Sequence, residues 1–228
     1  MRLLIAAVLL LFPFVIGAPG VGQSLDVVIR GGRVLDGSGN PYVFADIGIR
    51  DNEIAAIGDL SGASAQRVID ASGQYVTPGF IALHEHIEPD ILDGYGTLPN
   101  YTTQGFTTAV INTDGFNFGA DQLLWPLEHE RELLEEVGSA VNLALLVPHG
   151  IIRNMVMGSE PEDVMRYATP EELDEMRALV REGMEDGAFG LSTGLEYNPM
   201  RYSSEQEVIE LSKEGSRPLR WALSGSYA

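Results

Sequence analysis

The chain has 228 residues, with 14 Lys or Arg against 33 Asp or Glu, a formal net charge of −19 at pH 7. Its length allows a well-buried core, and 45% apolar with 21% charged residues is a globular composition, which excludes disordered, collagen-like and low-complexity classes. The acidity argues against binding nucleic acid or an anionic membrane surface through the general field, and the absence of cysteine removes disulfide scaffolds, Cys-ligated zinc and Cys nucleophiles.

Arg2, the apolar run Leu3–Gly17 and the small residues that follow read as a secretory signal over residues 1–22, so the protein is expected to be exported and to leave the membrane once the signal is cleaved. Residues 23–77 then read as short strands separated by turn clusters: Asp26–Arg30, Arg33–Leu35, Ala45–Arg50, Glu53–Ile57, Arg67–Asp70 and Gln74–Val76. This pattern predicts an antiparallel segment, part of a small β-sandwich.

The character changes at Pro78. Apolar strands are predicted at Phe80–Leu83, Thr107–Ile111, Val141–Val147 and Ala188–Leu191. Helices alternate with them. One is predicted over Leu123–Val137, with the acidic stretch Glu128–Glu136 on its wet face. A second begins at Thr169-Pro170-Glu171-Glu172, where the spacing is that of a capping box, and continues through Leu173, Met176, Leu179, Val180 and Met184. A third is capped by Ser203 or Ser204. Buried strands alternating with amphipathic helices give a parallel α/β arrangement. Four strand–helix units follow Pro78, where a closed barrel has eight, so the expected fold is a partial (β/α)₈ barrel over residues 78–212.

His84-Glu85-His86 directly follows the first apolar strand. Side chains two apart on an extended segment point to one face, so both imidazoles can grip one ion. Catalytic groups collect at this C-terminal end of barrel strands. His149 follows the third strand in the same way, and His129 lies among glutamates on the expected surface of a helix.

Together with Pro78-Gly-Phe-Ile-Ala-Leu83, the His84-Glu85-His86 stretch resembles the first barrel strand of the amidohydrolase superfamily. Four further segments are similar to the N-acyl-D-amino-acid deacylase (D-aminoacylase) family: 101–108, 149–158, 170–195 and Glu196-Tyr-Asn-Pro199. The resemblance implies a metal-bearing TIM barrel beside a small β-sandwich, one or two Zn²⁺ ions, and hydrolysis of a small-molecule N-acyl-D-amino acid to a carboxylate and a D-amino acid. It implies that His84 and His86 are metal ligands. A bridging Cys of many members falls here near Thr113-Asp114-Gly115, so a carboxylate must bridge: Asp114, or Glu196 at the end of the fourth strand, which is preferred. His149 and Tyr197 are expected to line the substrate site. The family's general-base Asp and two further His ligands belong to later strands and have no match in this sequence, and residues 213–228 depart from the family pattern. The alternatives are a non-catalytic exported fragment and a cyclic-amide hydrolase of hydantoinase or dihydroorotase type.

Overall fold

The computed structural model describes residues 24–116 and 125–216. The expected signal, 1–22, and the end of the expected divergent tail lie outside the described residues. The chain divides into two compact units, Met1–Pro78 and Gly79–Ala228.

The first unit is a five-stranded sheet of β1 (Leu25–Val34), β2 (Val43–Arg50), β3 (Glu53–Gly58), β4 (Ala65–Asp70) and β5 (Tyr75–Val76). The order is β3-β2-β1-β4, with β5 also on β1. The first three strands form antiparallel hairpins. The expectation of an antiparallel sheet throughout is corrected beyond them: β4 and β5 both pair with β1 in parallel. Residues 59–64 form a crossover to the far side of β1 rather than a tight reversal, so β4 keeps the direction of β3 and hence of β1. Gly31-Gly32 breaks β1 with a bulge, and Gly31 takes φ +70°, a conformation glycine adopts without steric cost. The residues before the bulge carry β4 and those after it carry β5. Leu25, Val28, Ala56 and Leu60 are buried together.

The second unit alternates parallel strands with helices, as expected for the α/β class. Its strands are β6 (Phe80–Ala82), β7 (Phe106–Ile111), β8 (Asn142–Leu145), β9 (Val147–Pro148) and β10 (Leu191–Ser192). β6-β7-β8 form one parallel ladder and β9-β10 another. The Val141–Val147 run is therefore two ladder segments, broken at Leu146. The fourth strand enters its ladder at Leu191, although Phe189 and Gly190 already bond to the backbone of Leu145 and Val147.

The helices are α1 (Glu88–Asp90), α2 (Pro99–Thr102), α3 (Leu127–Val137), α4 (His149–Met157), α5 (Pro161–Val164), α6 (Pro170–Glu185) and α7 (Glu205–Gly215). The core includes Ile91, Ala109, Ile111, Val147, Ile152, Met176, Val180 and Leu211. α6 carries the capping box: Glu172 N–H donates to Thr169 Oγ1 at 3.2 Å, and Thr169 N–H donates to Glu172 Oε2 at 2.7 Å. Ser204, rather than Ser203, caps α7.

Two expectations about α3 are corrected. It starts at Leu127 rather than Leu123, because Pro126 disfavours helical geometry at Trp125 and itself has no N–H to give (residues 123 and 124 lie outside the described residues). Its acidic stretch is not wholly wet. Glu130 shares the inward stripe with Leu127 and Leu134 and is fully buried, while His129 is exposed as expected.

Candidate metal centre

β6 ends at Ala82 and the chain bends at Leu83 and His84, but it keeps to the side of β7, where Glu85 N–H donates to Val110 O at 3.1 Å. That register sends His84 and His86 to the same side, with ring centroids 5.3 Å apart and planes at 89°. The Glu85 side chain is held separately, accepting a hydrogen bond from the Tyr101 hydroxyl. Burial and that carboxylate push the Tyr101 phenol well above its usual range.

β7 delivers the third group. After Ile111 the backbone turns through Asn112 at φ 59° and Asp114 at φ 56°, both left-handed. Such a conformation costs roughly 1–2 kcal/mol in a non-glycine residue and is borne best by Asn and Asp. The turn aims Asp114 at the histidines. Its Oδ2 lies 3.1 Å from His84 Nε2 and 3.4 Å from His86 Nε2. Thr113 Oγ1 donates to Glu85 O at 3.2 Å and lies 3.3 Å from His86 Nδ1. His84, His86 and Asp114 offer ligand atoms all within 4.8 Å of one another, the one such group of three among the described residues.

The turn is tied down from behind. Asn112 N–H donates to Glu88 Oε1 and Asn112 Nδ2 to Glu130 Oε2, both at 2.8 Å. Ser192 at the end of β10 donates to Asn112 O at 2.5 Å and accepts from Gly115 N–H at 3.1 Å. Glu88, Asn112 and Glu130 are fully buried. Burial raises the Glu88 carboxyl above its ordinary value, against the lowering effect of the Asn112 hydrogen bond. Gly194 packs so close that a side-chain carbon there would sit 2.8 Å from Asp114 O. Reading the sequence missed Asn112, Glu88, Glu130 and Ser192. For Glu130 the signal was available in its spacing from Leu127 and Leu134.

Two sequence expectations are corrected. Glu196, preferred as the bridging carboxylate, is exposed and outside the ligand group; the 194–197 turn, closed by Tyr197 N–H to Gly194 O at 2.9 Å, leaves it on the surface. Asp114 is the carboxylate that lies with the two histidines. His149, expected to touch substrate, is fully buried at the start of α4. Its Nε2 lies 2.9 Å from Glu207 Oε1 and its Nδ1 2.9 Å from Thr193 Oγ1, so protein groups engage both ring nitrogens. Buried Arg153 grips both Glu207 oxygens at 2.5 and 2.6 Å. Burial works against the Glu207 charge, but the hydrogen bonds from His149 and Arg153 prevail and hold its carboxyl below the usual range. Tyr197 lies half-exposed beside the turn, its ring edge-on to Phe116 at 6.3 Å between centroids.

Two imidazole nitrogens and one carboxylate oxygen converging on one point, with both histidines open to solvent, form a donor set that suits zinc and leaves room for a further ligand. The model of the Amidohydrolase family matches residues 67–223. The chain belongs to the amidohydrolase family. It is 38% identical over 229 residues to the D-aminoacylase of Alcaligenes xylosoxydans xylosoxydans, covering 90% of this chain and 44% of that protein. A solved D-aminoacylase, described as having a binuclear metal centre, superposes with a TM-score of 0.72 at 34% identity, over 83% of this chain and 43% of that one. The N-acyl-D-glutamate deacylase of Bordetella bronchiseptica, solved with zinc and a phosphonate inhibitor, gives a TM-score of 0.74 at 32% identity, over 84% and 43%. The chain thus spans less than half the length of these family members.

Proposed function

We propose that this chain supplies the metal-binding part of a hydrolase that cleaves the amide bond of N-acyl-D-amino acids to a carboxylate and a D-amino acid, with zinc held by His84, His86 and Asp114. The observation that carries this reading is the convergence of these three groups at the ends of β6 and β7. The names of the similar proteins, D-aminoacylase and N-acyl-D-glutamate deacylase, supply the substrate class. Zinc, when bound, acts as a Lewis acid on the scissile carbonyl and acidifies a water molecule. The protein's part is to present two imidazoles just past a strand end, offset part of the ion's charge with Asp114, and hold His86 through Thr113. Phe116 and Tyr197 offer an aromatic wall beside the turn for the substrate. The strand and helix succession supports a partial barrel, and Arg2 with the Leu3–Gly17 run supports export. The acidic surface suits a small-molecule substrate better than a nucleic acid.

The test measures zinc by plasma emission on the purified chain and on His84→Ala/His86→Ala, then amine release from N-acetyl-D- and N-acetyl-L-amino acids. Bound zinc lost in the double variant, with release from the D-substrates alone, is the expected result. Equal zinc in both proteins overturns the site. Opening of a hydantoin instead points to the cyclic-amide class, and zinc binding without any turnover makes the chain a non-catalytic fragment.

A further inference from the structure

Burying a carboxylate is costly, and the core beneath the metal centre buries two around a single asparagine. Glu88 comes from α1, just after the histidine pair, and Glu130 from α3, the helix that follows β7 in the chain. Both accept from Asn112: Glu88 from its backbone N–H, Glu130 from its side-chain amide. Apolar residues would fill the same core more cheaply, so the arrangement calls for a reason beyond packing. Asn112 is the first left-handed residue of the turn, two positions before Asp114. With its N–H, side-chain amide and carbonyl all bonded, the last by Ser192, the residue has little rotational freedom.

We propose that Glu88 and Glu130 are positioning residues for the metal-binding carboxylate: through Asn112 they fix the left-handed turn that aims Asp114 at His84 and His86. This rests on the reading of those three residues as a zinc site. The two carboxylates touch neither ion nor substrate. They act on the direction of one ligand, and removing such outer partners typically weakens metal binding by about tenfold to a hundredfold.

The experiment measures the zinc dissociation constant of the full chain at neutral pH, by competition with a chromophoric chelator, alongside the thermal melt. Glu130→Ala removes the acceptor. Asn112→Gly keeps the left-handed backbone at no strain but removes the amide. Each is expected to weaken zinc by about tenfold or more, and the double variant no further than the weaker single one. Glu130→Gln keeps an oxygen that accepts from Asn112 Nδ2 and is expected to bind like the wild type. Wild-type affinity in Glu130→Ala and Asn112→Gly, additive losses, or a Gln variant as weak as the Ala variant overturns the proposal. So does loss of the wild-type melt in both Glu130→Ala and Asn112→Gly, which would assign the pair to the fold alone. Asp114→Ala separates the two readings: if it leaves zinc affinity unchanged, the metal site itself is wrong; if it weakens zinc while the Glu130 and Asn112 variants do not, only the positioning role falls.

Discussion

Arg153 is a side chain on which the second unit depends without its taking part in the proposed chemistry. It is fully buried, grips both oxygens of Glu207, and donates to the carbonyls of Val164, Arg166 and Tyr202. Removing one partner of a buried ion pair leaves the other charge uncompensated, at a cost of about 3–5 kcal/mol. Arg153→Ala is therefore expected to lower the urea midpoint steeply, since whole domains are stable by only about 5–15 kcal/mol. A shift typical of a surface substitution would contradict this account. At this scale the sequence was partly legible. The His84-Glu85-His86 spacing declares itself, because alternation along a strand is a local rule. The choice between Asp114 and Glu196 was not local: it depends on which of two turns bends its carboxylate toward the histidines, and the turn at Asp114 is bonded by Glu88, Glu130 and Ser192, which come from three other elements. His149 illustrates the same point. Its place after a strand suggested a site residue, and only the arrival of Glu207, 58 positions later, makes it part of a buried ion-paired network.

α6 shows how much of an element a few residues can specify. Thr169, Pro170 and Glu172 define its start in the sequence, and the structure closes the capping box where they stand. Thr169→Ala is expected to cost about 1 kcal/mol, read as a lower urea midpoint, with Thr169→Ser near the wild type. Glu172 also accepts from both terminal nitrogens of Arg166, at 2.8 and 2.7 Å. That pairing above all brings its carboxyl down to about 2 from an ordinary 4.5. A carboxyl lowered in the folded state contributes stability that is present above the unfolded value and fades as pH falls through the folded one. The stability advantage of the wild type over Glu172→Gln is thus expected to be full above pH 4.5 and to fade toward about pH 2. An advantage that persists at the acid end would refute the linkage. The start of α3 was less legible, since its apolar and acidic pattern runs on past the proline that stops it.

At the level of the whole chain, the net charge of −19 sets up self-repulsion that folding must overcome. Added salt shortens the screening length from about 10 Å at 0.1 M to about 3 Å at 1 M. The melting temperature is expected to rise with sodium chloride, and a flat response would mean the charges are already compensated locally. The α/β class was legible because alternating strand and helix patterns extend over many residues. The parallel pairing of β4 and β5 with β1 was not, since a strand's pattern says which face is buried and not which neighbour it will choose.

The proposed ligands also have an order in time. His84, His86 and Asp114 fall within a stretch whose ends are 30 positions apart, and they need only β6 and β7 to be adjacent. Ser192, which ties the carbonyl of Asn112, lies 80 positions further on. A ribosome making this protein releases these three residues well before the serine that bonds their turn. On the proposed reading, zinc offered during synthesis would meet a loose site that can exchange ions, and the grip would tighten only when β10 is in place.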